Sequence, residues 1–312
     1  MKVVALAGGV GAGKFLRGLV RAVPPADVTA VVNTGDDLDL HGLRVCPDLD
    51  SITYWLGDAF DRDRGWGRRD ETFRATEELR SFDPDAAWFG LGDLDLATHL
   101  FRTRSLAEGL RLSEVTARIA ARFDIGSAIL PMSEHRVETR LDVVSSGEEM
   151  DLHFQEYWVL RGARDDVKAI RFEGAGVATP APGVLDAIER SDAVVICPSN
   201  PVVSIGPILA VRDIKDAVAR KPVVGISPIV GGRPLAGMAD RLMPVVGLEV
   251  SAAGAARAYD GLLDAWVIDD VDARLAGRVH EETGARVAVT DTVMRGDEVA
   301  ERLALVTLDA LR

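Results

Sequence analysis

The stretch that decides the fold is Val3-Val4-Ala5-Leu6-Ala7-Gly8-Gly9-Val10-Gly11-Ala12-Gly13-Lys14, close to the start of a 312-residue chain. It opens with an apolar run, and Phe15 to Arg21, directly after it, has helical spacing. Strand, glycine turn and helix start follow one another in this way where a parallel α/β sheet makes a phosphate site, because glycines let backbone N–H groups approach the anion and the helix N-terminus adds partial positive charge. The stretch therefore predicts an α/β fold with a phosphate site after its first strand.

Two further pieces place carboxylates near this turn. Asn33-Thr34-Gly35-Asp36-Asp37 ends an apolar run from Val28 to Val32, and Pro47-Asp48-Leu49-Asp50 follows after another short loop. Functional groups of an α/β sheet lie at the carboxyl ends of its strands, and clustered acids repel one another unless a cation is present. The pattern predicts a divalent metal between carboxylates and phosphate. Helix capping or a solvated turn is the alternative for an isolated Asp-Asp pair.

The glycine turn has competing interpretations. Gly8 to Lys14 fits the spacing of an ATPase P-loop, but that motif continues with Ser or Thr, whose hydroxyl holds magnesium, and Phe15 cannot ligate a metal. The segment also lacks the third glycine of a dinucleotide-binding fingerprint, since Lys14 stands in its place. A different phosphate cradle is favoured, and a purely structural turn stays open.

Composition bounds the class of protein. Hydrophobic residues make up 47% and charged residues 27%, as in a soluble globular enzyme. A net charge of -13 argues against a nucleic-acid binder and against attachment to an anionic membrane. The two cysteines, Cys46 and Cys197, predict reduced thiols rather than a disulfide framework. With neither a secretory signal nor an apolar stretch of about 18 residues, a cytoplasmic protein is expected.

Apolar and helical patterns predict the order of elements along the chain. After the first two strands, we expect helices at 51–56, 71–80 and 94–100 and from Leu112, the last capped by Ser113, with a strand at Trp88-Phe89. Alternation predicts a β-hairpin from Val137–Val143 and Leu152–Trp158 around a turn at Ser146-Gly147. Buried parallel strands are predicted at 193–197, 223–228, 265–269 and 287–290, before a final helix from Asp297.

This order predicts an α/β fold class: a three-layer, Rossmann-like parallel sheet with a helical and β-hairpin insertion. We expect one domain over residues 1–312, with the core formed by 1–55 and 170–312 and the insertion covering approximately 56–169.

Several other residues are candidates for contacts with a ligand. Ser199 and Asn200 follow a buried strand and suit recognition of a nucleotide, although the prolines around them also fit a stiffened crossover. Asp93, after Gly90-Leu91-Gly92 and with Asp95 behind it, is a weaker acidic signal. His99 and Trp66 could contact a planar substrate or could simply pack.

Taken in order, these pieces resemble the 2-phospho-L-lactate transferase family of deazaflavin coenzyme F-420 biosynthesis, and more closely its actinobacterial-type members, called phosphoenolpyruvate transferases. The resemblance covers essentially the whole chain. It rests on Gly8-Gly9-Val10-Gly11, Val31 to Asp37, Pro47 to Asp50, Arg64-Gly65-Trp66-Gly67, Phe89 to Asp93 with Ala97-Thr98-His99, Leu130 to Ser133, His153 to Glu156, Ser199 to Ile208 and Ser227 to Gly232. One departure is Leu94, where relatives carry Arg, so a cation is missing there.

The resemblance implies a transfer reaction. A guanosine-diphospho donor would pass its phosphoenolpyruvyl or 2-phospholactyl group to the ribityl hydroxyl of Fo (7,8-didemethyl-8-hydroxy-5-deazariboflavin), releasing GMP and giving (dehydro) coenzyme F-420-0. Mg2+ is the implied cofactor and a homodimer the implied assembly.

The resemblance also implies roles for the candidate residues. Asp36 and Asp50 would be catalytic, and Asp36, Asp50 and Asp48 would hold the metal. The Fo contacts would come from Asp50, Gly90, Asp93, Trp66 and His99. The donor's nucleotide and phosphates would be bound by Gly8, Gly9, Gly11, Lys14, Ser199 and Asn200. The alternative function is that of a sister family, gluconeogenesis-factor-like regulators, which share the glycine turn and the Asp pair but bind nucleotide sugars without catalysis.

Overall fold

The computed structural model describes residues 1–312. The strands are β1 (Val3–Ala7), β2 (Val28–Val32), β3 (Leu38–Leu40), β4 (Leu43–Val45), β5 (Ala128–Pro131), β6 (Glu138–Ser145), β7 (Glu148–His153), β8 (Asp166–Glu173), β9 (Ala193–Ile196), β10 (Val223–Ile226), β11 (Ile229–Val230), β12 (Arg233–Pro234), β13 (Ala265–Ile268) and β14 (Arg286–Val289). The helices are α1 (Gly9–Ala22), α2 (Pro47–Leu56), α3 (Arg74–Phe82), α4 (Asp93–Ala107), α5 (Leu112–Arg122), α6 (Val184–Arg190), α7 (Gly206–Ala210), α8 (Ile214–Val218), α9 (Ala239–Leu242), α10 (Ala252–Arg257), α11 (Ala276–Thr283) and α12 (Asp297–Asp309).

Seven parallel strands form the central sheet in the order β14-β13-β10-β9-β1-β2-β5. From β1 the chain runs outward through β2 to β5, then returns to the other side of β1 and runs out through β9, β10 and β13 to β14. The strand order therefore reverses between β1 and β9, and an open α/β sheet binds its ligands in the crevice outside the carboxyl ends of the strands at such a point.

Side chains of the central strands pack in two hydrophobic cores, one on each face of the sheet. In β1, Val4 and Leu6 belong to the core that includes Trp266, while Val3, Ala5 and Ala7 belong to the core that includes Phe15. Successive residues of a strand point to opposite faces, so a strand buried on both faces reads as a continuous apolar run. This confirms the predicted three-layer, Rossmann-like α/β class.

The insertion differs from its prediction at two strands. Ala128–Pro131 lies within the predicted segment of approximately 56–169, yet it forms β5 and pairs in parallel with β2. The segment therefore adds an edge strand to the central sheet as well as helices α3 to α5. Its hairpin is confirmed, with both turn residues, Ser146 and Gly147, at positive φ, and β8 joins it as an unpredicted third strand.

Three local predictions are wrong. Trp88-Phe89 is not a strand: the two rings meet edge to face and pack on the small cluster around Leu91 instead. The hairpin's return strand ends at His153 rather than at Trp158, because Glu156 accepts the His153 N–H at 2.9 Å and a π-helical turn follows.

The third concerns the start of α5. Ser113 does not cap this helix, because Leu112 already lies in its first turn. Glu134, from the segment after β5, instead accepts the backbone N–H groups of Leu112 at 2.7 Å and Ser113 at 3.2 Å. A carboxylate distant in sequence thus does the work that a local hydroxyl was expected to do.

Both cysteines, Cys46 and Cys197, are buried and unpaired, as predicted. No helix of the structure combines the length and the apolar character needed to cross a membrane.

Candidate active site

A cavity of about 1070 Å³ opens at the carboxyl ends of the central strands, where the strand order reverses. It brings together nearly all the residues that the sequence singled out. Those in its wall are Gly8, Gly9, Gly11, Lys14, Asp36, Asp48, Asp50, Trp66, Gly90, His99, Ser199 and Asn200.

The glycine run starts a helix rather than forming an open loop. Gly8 is extended, Gly9 has φ +70, and α1 begins at Gly9. The Gly9 N–H donates to Asp48 Oδ1 at 2.8 Å, and a Cβ at Gly8 would lie 2.7 Å from Asp48 Oδ2. The Gly9 amide, which was expected to bind phosphate, is thus already bound by a carboxylate. The following N–H groups in the first turn of α1 have no intrahelical acceptors and are the ones left to bind a ligand.

Asp36 and Asp48 form a buried acidic pair. Burial raises the pKa of Asp36 well above its ordinary value, and the charge of Asp48 raises it further. Burial also raises the pKa of Asp48 to about 6, although hydrogen bonds from the Asn33 amide, at 2.9 Å, and the Gly9 N–H act against it. Asp36 Oδ1 is buried and has no hydrogen-bond partner. Two carboxylates with an unsatisfied oxygen fit Mg2+, which takes hard oxygen ligands.

Asp50 has a different environment, because both of its carboxylate oxygens are bound by a guanidinium. Arg102 Nη1 donates to Asp50 Oδ2 at 3.1 Å, and Nη2 pairs with Oδ1. The pair is buried, with Arg102 only 1% exposed. Asp50 reaches the cavity wall at the first turns of α2, which starts with Pro47.

Behind Asp50 lie Asp95 and His99, which the sequence singled out, and Tyr54 and Arg102, which it did not. The Tyr54 hydroxyl donates to Asp95 Oδ1 at 2.6 Å, and His99 lies between Asp95 and Arg102. Burial would raise the pKa of Asp95, but hydrogen bonding and charge from His99, the Tyr54 hydroxyl and Arg102 lower it below its ordinary value. Asp95, His99 and Arg102 follow one another at spacings of four and three on α4, and this helical spacing is the signal that could have identified the group.

Asp93 does not line the cavity. Its carboxylate accepts the Thr72 hydroxyl and the N–H groups of Arg74 and Ala75, at 3.3 and 3.0 Å, at the start of α3. These bonds lower the pKa of Asp93, as expected for a helix-capping carboxylate. Leu94, beside it, is 40% exposed.

Aromatic residues line the arm of the cavity next to Asp50. Trp66 is 41% exposed, its edge meets Phe73, and Arg64 lies 5.0 Å over its ring. A Cβ at Gly90 would lie 2.9 Å from Trp66 Cη2, so only glycine allows this approach. Trp88, Phe89 and Trp158 also line the cavity, whose aromatic side chains suit a flat, partly apolar ligand.

Ser199 and Asn200 follow β9 on the other arm. The Ser199 hydroxyl donates to the Gly8 carbonyl at 2.8 Å, and Asn200 Oδ1 accepts the Val202 N–H at 2.9 Å. Both therefore hold the crevice together, and the Asn200 amide nitrogen is the group left to contact a ligand. Lys14, half-buried in the cavity wall, forms no ion pair with the protein and can meet an anion.

Comparisons with known proteins show which family the chain belongs to. The family model described as 2-phospho-L-lactate transferase CofD matches residues 3–304. The phosphoenolpyruvate transferase of Streptomyces griseus subsp. griseus is 49% identical over 312 residues, covering 99% of this chain and 98% of the relative. That of Streptomyces coelicolor is 50% identical over 283 residues, covering 90% and 89%.

The fold is also similar to a solved structure of a upf0052 family member from Bacillus halodurans, with a TM-score of 0.62 over 99% of this chain and 100% of that one. At 17% identity this likeness concerns the fold alone. The family match and the curated relatives confirm the predicted transferase over the regulatory alternative. The chain belongs to the CofD family of 2-phospho-L-lactate transferases and is a transferase enzyme.

Proposed function

We propose that the protein transfers the phosphoenolpyruvyl (or 2-phospholactyl) group of a guanosine-diphospho donor to the ribityl hydroxyl of Fo, releasing GMP and giving (dehydro) coenzyme F-420-0. The observation that carries the proposal is the cavity itself. One arm presents a helix start, Lys14 and an acidic pair, as a diphosphate with a cation requires, and the other presents aromatic rings, as a deazaflavin requires. The relatives' name, phosphoenolpyruvate transferase, favours the phosphoenolpyruvyl donor.

In this reaction the ribityl oxygen forms a bond to the phosphorus that carries the three-carbon acid. The bond from that phosphorus to the oxygen of GMP breaks, GMP leaves with the bonding electrons, and the hydroxyl proton is released. Such a transfer depends on alignment and charge stabilisation more than on covalent help from the protein. Lys14 and the first-turn N–H groups of α1 would bind the donor's phosphates, and the Asn200 amide would meet its guanosine part.

Asp36 and Asp48 would hold Mg2+. Asp50, which the sequence named with them, has both carboxylate oxygens bound by Arg102 and would not complete this metal site. A metal bound there supplies neutralisation of the diphosphate charge. On the acceptor side, Trp66 would stack on the deazaflavin, Gly90 would let the ring approach, and Asp50 and His99 would orient the ribityl chain. Asp93 would act indirectly, because it caps α3 next to this arm.

The test is to incubate the purified protein with Fo, Mg2+ and each candidate guanosine-diphospho acid, and to follow GMP by chromatography and the product by mass spectrometry. We expect GMP and a product of Fo plus one phospho-acid with one of the donors. GMP released equally without Fo would reveal a hydrolase, and no product with any donor would contradict the proposal.

The homodimer is proposed on the family resemblance. Light scattering should give twice the 33.5 kDa of one chain, and a mass of one chain at assay concentrations would refute it.

A further inference from the structure

A row of charged and polar side chains lies behind the acceptor arm of the cavity. Asp50 and Tyr54 are one turn apart on α2, and Asp95, His99 and Arg102 lie along one side of α4. All five side chains are buried. Buried charges are costly unless they are paired, so an arrangement of this kind needs an explanation beyond packing.

Arg102 is the cation of this row. It pairs with both oxygens of Asp50, and its Nη1 also donates to the Arg44 carbonyl at 3.2 Å and lies 3.1 Å from His99 Nδ1. The bidentate pair allows the Asp50 carboxylate one orientation in the cavity wall. Lysine, a single-point donor, cannot reproduce it.

The same contact determines the tautomer of His99. A guanidinium only donates hydrogen bonds. Arg102 Nη1 shares its two hydrogens among Asp50 Oδ2, the Arg44 carbonyl and His99 Nδ1, and its 3.1 Å approach to Nδ1 is attractive only if Nδ1 carries a lone pair. The ring proton must then be on Nε2, whose nearest carboxylate oxygen is Asp95 Oδ2 at 3.5 Å. That Asp95 carboxylate is itself held by the Tyr54 hydroxyl.

A metal ion is not needed to explain this cluster. Ligand atoms of Asp50, Asp95 and His99 all lie within 4.8 Å of one another, but the guanidinium already occupies both Asp50 oxygens and faces His99 Nδ1. Arg102 thus supplies the positive charge that a cation would supply, whereas the Asp36–Asp48 pair has no such partner.

We propose that Arg102 is a positioning residue of the acceptor site: one buried guanidinium fixes the orientation of the Asp50 carboxylate and the Nε2–H tautomer of His99, so that both are set before Fo binds. This inference rests on the proposed function, because it takes the aromatic arm as the Fo site. Arg102 contacts neither substrate in this arrangement and acts through Asp50 and His99.

The first test measures the tautomer and requires no turnover. In protein labelled with ¹⁵N-histidine, the resonances of His99 are assigned by their loss in His99→Gln, which is practical because the chain has 5 histidines. At neutral pH we expect an unprotonated Nδ1 and a protonated Nε2. A protonated Nδ1 in the wild type would overturn the inference whatever the substrate proves to be.

The second test is a double-mutant cycle on Fo binding, followed by the fluorescence of the deazaflavin. Arg102→Met and Asp50→Asn should each weaken Fo binding by about tenfold to hundredfold, the loss expected for a charge-assisted hydrogen bond. The double variant should lose less than the product of the two single losses, since Arg102 acts in part through that carboxylate. Multiplied losses in the double variant would overturn the inference.

Arg102→Lys is a second variant in case Arg102→Met does not fold. It keeps the positive charge but lacks the two-pronged donor geometry of the guanidinium. It should weaken Fo binding while leaving the affinity for GDP, a probe of the donor arm, within about twofold. Equal losses for Fo and GDP would indicate a general structural defect and overturn the inference. Failure of the wild type to bind Fo would instead refute the proposed acceptor.

Discussion

Asp36 and Asp37 are adjacent buried carboxylates, and only Asp36 lines the cavity. Asp37 lies behind it, 3.8 Å from Arg44, with neither carboxylate oxygen in a hydrogen bond. Asp36→Asn and Asp37→Asn are therefore a matched pair: each removes one buried carboxyl group, but only the first removes a proposed magnesium ligand.

The pH dependence of stability follows from the direction in which burial shifts the pKa values of these carboxyl groups. Burial raises the pKa of Asp48 to about 6 and, against the charge of Arg44, that of Asp37 to about 7. Between the unfolded value of about 3.9 and these values, the folded state holds protons that the unfolded state has released. The contribution of these two carboxyl groups to stability is therefore full below about pH 4 and is lost as pH rises to about 7.

The magnitudes follow from about 1.4 kcal/mol per unit of pKa shift. On this scale, ionisation of Asp48 costs roughly 3 kcal/mol of folding free energy at pH 8 and that of Asp37 roughly 4 kcal/mol. Mg2+ at a hundred times its Kd should return about 2.7 kcal/mol. The gain in stability from Mg2+ should be small at pH 5, where protons compete for the same carboxylate oxygens.

The assay is urea unfolding of each variant at pH 5 and pH 8, with and without MgCl2. Wild type should be less stable at pH 8 than at pH 5 without Mg2+, and Mg2+ should recover part of the loss. Asp36→Asn should lose the response to Mg2+. Asp37→Asn should keep it and be more stable than wild type at pH 8. Equal stabilisation of both variants by Mg2+ would refute the assignment of Asp36, and a metal-free wild type that gains stability with pH would refute the electrostatic argument.

Three further predictions concern single side chains. Asp50→Asn should abolish turnover and also lower the free energy of unfolding by about 3–5 kcal/mol, because it leaves Arg102 buried and unpaired; unchanged stability in urea would contradict the buried pair. Trp66→Ala should weaken Fo binding by about 1–3 kcal/mol through lost stacking, by analogy with base–aromatic contacts, with GDP binding as the control; unchanged fluorescence titrations with Fo would place the ring elsewhere. Lys14→Met should raise the KM for the donor by about tenfold with little change in that for Fo, since it removes a charge-assisted contact; an unchanged donor KM would exclude Lys14 from the phosphate site.

The central sheet is predictable because its strands are buried on both faces. Val3–Ala7, Val28–Val32 and Ala193–Ile196 appear in the sequence as uninterrupted apolar runs, and the structure begins and ends them within about a residue of the prediction. Trp88-Phe89 is a similar apolar stretch, but short apolar pairs also pack in small hydrophobic clusters outside the main core. Nothing in the local pattern distinguishes such a pair from a strand.

Site residues that directly follow the carboxyl end of a strand are predictable from the sequence. Asp36 and Ser199 are expected in one crevice because the carboxyl ends of parallel strands meet at one edge of the sheet, and Asp48 is expected there because it follows Asp36 after a short loop. The partners of these residues were not predictable in the same way. That Gly9 would donate to Asp48, or that Arg102 on α4 would pair with Asp50 on α2, depends on how distant helices pack, and such pairs leave no local spacing.

The central claim is that the cavity joins a guanosine-diphospho three-carbon acid to Fo. The most direct measurement mixes the wild-type protein and Asp36→Asn separately with Fo, Mg2+ and the phosphoenolpyruvyl donor, and quantifies GMP together with the mass of the deazaflavin product. We expect GMP and a product of Fo plus the phosphoenolpyruvyl group in equal amounts from the wild type, and neither from Asp36→Asn. GMP without a heavier deazaflavin, or equal product from both proteins, would contradict the account.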